Sequence, residues 1–162
     1  MNAIKRLQAM RDGRAPLPPL YDTLGLSVTS ATSGIVGLAL RPSERLGNPY
    51  GKVGGGALAT ALDTAAAWAC DTVCGADKIC TTVEFKTNFL RPVLPHDDIL
   101  NVIAAVIQCG SRIMVAEARM STAGGDLVAI AIVTCLVIDR PGAPHFPHDP
   151  HHEARTRDER AQ

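Results

Sequence analysis

The chain has few aromatic residues, no net charge and no CxxC pair, and each shortage narrows the classes of explanation. Aromatics are 4% of the 162 residues, one Trp, two Tyr and three Phe, which neither supports nor excludes a ligand carrying an aromatic ring. Sixteen basic residues balance sixteen acidic ones, so no global field draws nucleic acid or an anionic membrane; an anionic ligand needs a local basic patch. The first residues, MNAIKRLQAMRDGR, carry charge where a signal peptide has its apolar core, so secretion is not expected. The five cysteines (70, 74, 80, 109 and 135) are odd in number, contain no CxxC pair and lie in apolar segments, which points to a reduced, cytoplasmic compartment and to no metal site. No Gly-Lys-Ser/Thr follows the glycine run at 54–56, which argues against a phosphate loop, and no internal repeat is visible.

What the chain does have is a composition for one domain with a sizeable core, at 46% hydrophobic and 20% charged. Its most telling stretch is GGGALATALDTAAAWACDTVC, residues 54–74. Alanine is the best helix former, and a segment apolar on almost all sides forms a helix enclosed by other structure. Asp63 and Asp71 interrupt it and large apolar groups are scarce, so it does not read as a membrane span. Asp63 therefore falls in the middle of a buried helix, where a lone carboxylate is costly unless paired.

Around this helix the sequence reads as strands. Asn2 to Arg11 predicts a short amphipathic helix, and Pro16 to Pro19 breaks regular structure. Leu24 to Ala31 and Ile35 to Leu40 predict a hairpin, and Arg41 to Val53 a loop. Four more strands are expected at 79–89, 99–108, 113–122 and 127–138, adjacent in chain order and antiparallel. The expected fold is α+β, with a curved antiparallel sheet wrapped around one long central helix. Residues 1–19 read as an N-terminal helix and linker, 20–138 as the domain, and 139–162 as a poorly ordered tail rich in His, Pro and charge.

Asn48, Gly51, Gly55, Gly56 and Asp63, followed by TTVEFKTNFLRP (81–92), SRIMVAEARM and GDLVAIAIVTCLVI, resemble the phenylacetate-degradation-type (PaaI-type) hotdog thioesterases over roughly residues 20–138. The resemblance implies a hotdog fold and hydrolysis of an acyl-coenzyme A thioester, with coenzyme A part of the substrate and no separate cofactor. It implies that Asp63 acts as general base or nucleophile. Gly55 and Gly56 would open the helix, where amides without intrahelical partners can hold a thioester oxygen. Asn48 would orient water or the loop, with an ordinary Asn-Pro turn as the alternative. One departure stands out: Gly54 occupies the position of the family's histidine. That leaves a second reading open, an acyl-CoA binding or sensing protein with little turnover.

In these relatives a hydroxyl early in the next strand assists the carboxylate, and alignment from Phe89 and Pro92 selects Thr82. Period-two alternation disagrees, since it places Thr81, not Thr82, on the face of Phe85 and Phe89, unless a bulge reverses the parity. Lys86, Arg91, Arg112 and Arg119 are candidates for the coenzyme A phosphates, against the plainer reading of a solvated sheet face. Trp68 and Leu62 could line an acyl pocket, with core packing as the alternative. Gly55 and Asp63 lie about 12 Å apart along one helix, so one carbonyl meets both only if they come from different chains across a twofold axis. A homodimer at least is expected, with a tetramer of paired dimers as in the relatives. The tail sequence HFPHDP superficially matches a signature of hotdog dehydratases, but it follows the last strand, and no histidine lies near the central helix to transfer protons.

Overall fold

The computed structural model describes residues 2–140. In chain order the elements are α1 (Ala3–Arg11), α2 (Pro19–Thr23), β1 (Leu26–Thr32), β2 (Ile35–Leu40), α3 (Gly55–Asp71), β3 (Lys78–Phe89), β4 (Leu100–Cys109), β5 (Ile113–Ser121) and β6 (Leu127–Asp139). The Asn2 side chain caps α1 by accepting from the Lys5 amide at 2.9 Å, and the helix seats a fully buried Leu7 in the core. Pro19 does not end regular structure as expected but opens α2, because the first helical position needs no amide hydrogen. The hairpin turns at Gly34, whose φ of 76° suits glycine. Of the expected tail, Asp139 completes β6; residues from 141 onward, with His145, His148, His151 and His152, lie outside the described residues.

All strand pairs are antiparallel, and the sheet order is β1-β2-β4-β5-β6-β3. This corrects the expectation that chain neighbours are sheet neighbours throughout. β3 lies beside β6 at the far edge, and β2 pairs with β4. The reason is α3. Its 17 residues span about 25 Å, enough to carry the chain across the four strand spacings, about 19 Å, that separate β2 from β3. Residues 90–99 then bring the chain back to begin β4.

The sheet wraps α3, which packs against every strand. Close approach is possible because both surfaces are small: Ala61, Ala65 and Ala69 of the helix and Ala116, Ala118 and Ala131 of the strands are all buried. Leu62, Met120 and Val133 are completely buried and fill the space between them. Leu62 is thus a core residue. Trp68 packs edge-on against Tyr21, with ring centroids 5.1 Å apart. The core-packing reading holds for both.

Candidate active site

Asp63 projects from the third turn of α3 and is half-buried in the single chain, less enclosed than the all-round apolar helix suggested. It has one specific partner: Thr82 Oγ1 donates to Asp63 Oδ1 at 2.7 Å. A hydrogen bond to a charged group contributes about 1.5 to 3 kcal/mol, so this contact fixes the carboxylate's rotamer. An ionised carboxylate only accepts, so the single Thr82 proton is committed to it. Among the described residues Asp63 Oδ2 has no hydrogen-bond partner.

Thr82 reaches Asp63 because β3 is bulged. The register of β3 against β6 runs Thr82 to Cys135 and then Glu84 to Thr134, leaving Val83 as the extra residue. Below the bulge, even-numbered Thr82 faces the helix. Above it, odd-numbered Phe85 packs against the core, and Phe89 lies at the tip of α3, while Val83 is 56% exposed. Simple alternation was right for Phe85 and Phe89 and failed at Thr81, which is exposed.

The second cluster lies at the N-terminus of α3. Gly54 is the N-cap and supplies no side-chain acceptor, and among the described residues the Gly55 and Gly56 amides have no hydrogen-bond partner. They carry the positive end of the helix dipole. A cleft at this tip is lined by Asn48, Lys52, Gly55, Phe89, Leu90 and Arg91. A Cβ added at Gly55 would sit 3.2 Å from the Phe89 ring, whereas one added at Gly56 would meet nothing within 4 Å. The Asn48 side-chain oxygen accepts from the Tyr50 and Lys52 amides at 2.9 and 3.2 Å. Asn48 therefore organises the loop, as the turn reading has it, and retains only its amide hydrogens for a ligand.

Several findings from other proteins bear on this arrangement. A family model described as "Thioesterase superfamily" matches residues 50–129, a span that runs from the loop through α3 and β3 into β6. A conserved protein of known structure from Pseudomonas aeruginosa is 30% identical, with 75% of this chain and 95% of that one covered and a TM-score of 0.71. The chain belongs to the thioesterase superfamily. A thioesterase family protein from Silicibacter pomeroyi is 27% identical over 82% of this chain and 98% of that one, with a TM-score of 0.72. The PaaI protein of E. coli, from the phenylacetic acid degradation operon, is 20% identical over 85% and 96%, with a TM-score of 0.73, and so shares the hotdog fold. No curated protein sequence matches the chain.

Within this thioesterase-superfamily fold the sequence-predicted residues fall into two groups. Asp63 and Thr82 meet midway along α3; Asn48, Gly55 and Arg91 line the cleft at its tip, with Gly56 beside them. Gly55 and Asp63 are eight residues apart in one straight helix, so the groups do not meet within a chain. Arg91 also pairs with Asp126 at 3.4 Å, both largely exposed, a weak contact that a ligand phosphate can displace. Lys86 lies with Arg119, Glu117 and Ile132 in a shallow depression on the sheet face turned away from α3. Arg112 sits in the β4–β5 turn, its carbonyl accepting from Val137, at the opposite end of β3 from Arg91. The structure does not gather the basic candidates in one chain. Lys52 and Phe89 line the cleft and were not picked out from the sequence. Lys52, two residues before the N-cap glycine in a loop, carried a readable signal; Phe89 did not, because alternation gives its face but not that the end of β3 lies against the tip of α3.

Proposed function

We propose that the protein is a homodimeric acyl-CoA thioesterase in which each site combines Asp63 of one subunit with the Gly55 amide of the other. Asp63 activates water or attacks the thioester carbonyl, Thr82 holds the carboxylate, Gly55 N–H donates to the developing oxyanion, and Asn48 shapes the loop that presents that amide. The observation that carries this reading is the Thr82–Asp63 hydrogen bond of 2.7 Å, a polar pair placed on an otherwise alanine-lined helix.

Support for the dimer comes from the outer edge of β3. Among the described residues no strand pairs with it, and 12 residues of unpaired edge are a template for a second copy. Pairing across a twofold axis places β3 antiparallel to its mate and the two α3 helices antiparallel behind them. It also covers exposed apolar groups near that edge, Val83, Phe89 and Leu90, which are 56%, 48% and 51% exposed. Exposed Ile103 and Ile132 on the outer sheet face offer a surface on which two such dimers pair. Lys52 and Arg91 at the cleft suit the coenzyme A phosphates. No helix among the described residues is long and apolar enough to cross a membrane.

The test is hydrolysis of an acyl-CoA panel by the wild type, Asp63→Ala and Asp63→Asn. Loss of turnover in both variants is expected; equal rates in all three remove Asp63 from the mechanism. A second reading, binding without efficient turnover, is favoured by Gly54, where the helix cap lacks any side chain. It predicts measurable acyl-CoA affinity with negligible hydrolysis by the wild type. A Cβ at position 54 would meet only the Leu46 carbonyl, at 3.4 Å, and φ is −64°, so Gly54→His is sterically allowed. A large gain in rate from that variant identifies a site that lost its histidine; no change identifies one tuned without it.

A further inference from the structure

The end of α3 furthest from the cleft holds a concentration of sulfur that the proposed hydrolysis does not use. Cys70 and Cys135 are buried there, and Cys74 and Cys80 are half-buried. Cys74 lies three residues past the end of α3 and Cys80 is the third residue of β3, and their sulfurs are 2.9 Å apart. Met114 Sδ completes the group, 3.7 Å from Cys80 and 4.0 Å from Cys74.

We propose that Cys74 and Cys80 are a redox modification site that closes to a disulfide on reaction with a hydroperoxide and reopens with a thiol reductant. Geometry is the main support. Two sulfurs at 2.9 Å need to approach by only about 0.9 Å to reach a bond length of about 2.05 Å. The backbone around them is already tied. Asp71 Oδ1 accepts from the Cys80 amide at 2.8 Å, and Asp71 Oδ2 pairs with Arg6 at 3.1 Å. Asp71 therefore clamps the start of β3 to the end of α3 and holds the two cysteines in register. With both its oxygens engaged, it is a poor third ligand, which disfavours a metal ion on Asp71, Cys74 and Cys80.

Electrostatics assigns the roles. Interaction with the Cys70 and Cys74 thiols holds the Cys80 pKa down to about 7, against burial and the nearby Asp71 charge. Burial and the same contact push the Cys74 thiol up. Cys80 is thus the thiolate that attacks and Cys74 the thiol that resolves. In the first step the Cys80 thiolate attacks the distal peroxide oxygen, giving a sulfenic acid and releasing hydroxide or alkoxide. In the second the Cys74 sulfur attacks the Cys80 sulfur, the S–S bond forms and water leaves. The two thiols lose two electrons to the peroxide. The lowered pKa raises the thiolate fraction of Cys80 at neutral pH, and the lower nucleophilicity of a weaker base returns part of that gain.

The experiment treats the reduced full-length protein with hydrogen peroxide, blocks free thiols with N-ethylmaleimide after unfolding, and maps tryptic peptides by mass. The expected product is a dithiothreitol-reversible link between residues 53–78 and 79–86, with two fewer cysteines alkylated. Because residues 53–78 also contain Cys70, two variants assign the partner. Cys70→Ser retains the link, and Cys74→Ser stops at a Cys80 sulfenic acid that dimedone traps. Full alkylation of the wild type after peroxide overturns the proposal, as does a link that survives in Cys74→Ser. So does a stoichiometric metal ion on the reduced wild type that Cys80→Ser loses.

Discussion

Replacing Gly55 by proline isolates the amide on which the proposed oxyanion contact rests. Gly55 is the first residue of α3, a position where proline costs the helix nothing because that N–H has no intrahelical acceptor. The preceding Gly54 has φ −64° and ψ 135°, an extended conformation that a following proline favours. The substitution therefore removes one donor and leaves the helix intact. Its side effect is steric: the new Cβ lies 3.2 Å from the Phe89 ring, which must give way by a few tenths of an ångström. Gly55→Ala brings the same Cβ but keeps the N–H, so the pair of variants separates crowding from donor loss. Loss of a single oxyanion donor costs on the order of 100- to 1000-fold in turnover, about 2.7 to 4 kcal/mol. The assay is steady-state release of free coenzyme A thiol, with the melting temperature of each variant as the folding control. The expectation is a kcat for Gly55→Pro at least about 100-fold below that of Gly55→Ala. Equal kcat values for the two, with both folded, refute the assignment of the amide.

Thr82→Val keeps the shape and strand propensity of Thr82 but removes the proton given to Asp63, so kcat should fall about 10- to 100-fold while KM changes little, and Thr82→Ser should restore most of it. A variant with lowered kcat that serine does not rescue would point to strand packing instead. Gly56→Ala places its Cβ in open space, so helix stability should rise by about 0.4 to 1 kcal/mol; a raised KM beside that gain would show that ligand approaches this tip. Leu62→Ala empties a fully buried site between helix and sheet and should cost about 2 to 5 kcal/mol, read as a drop in melting temperature on the order of 10 °C. A loss below about 1 kcal/mol would mean that the sheet collapses freely onto α3.

Local signals in this sequence were strong where side-chain chemistry acts over short range. The alanine run, the hairpin at Gly34 and the four later strands follow from propensity and turn residues, and Ile35 to Leu40 matches β2 at both ends. Sheet order was not legible, because pairing of β3 with β6 depends on where a 17-residue crossover helix can deliver the chain, a property of the whole fold. The Thr82 parity was unreadable for a related reason: a single extra residue, Val83, inverts the facing of the strand, and bulges leave no fixed residue signature. Burial of Asp63 in the single chain was overestimated, because an apolar helix face can be left for a second copy to cover rather than for the chain's own sheet. In the dimer proposed above, the remaining open side of α3 faces its mate. The cysteines show the opposite limit: spacings of 70, 74, 80 and 135 suggest nothing, yet the helix end, the strand start and β6 converge there.

The central claim is that one site draws its acid and its amide from two chains, and subunit complementation tests it most directly. Asp63→Asn and Gly55→Pro homodimers are each expected to be nearly inactive. Random mixing through co-expression makes half the dimers mixed, and in a shared-site dimer each mixed pair holds one doubly defective site and one intact site. About one quarter of wild-type activity should then return. If Asp63 and Gly55 act within a single chain, every site in the mixed dimers keeps one defect, and activity that stays at the level of the two parents would contradict the account.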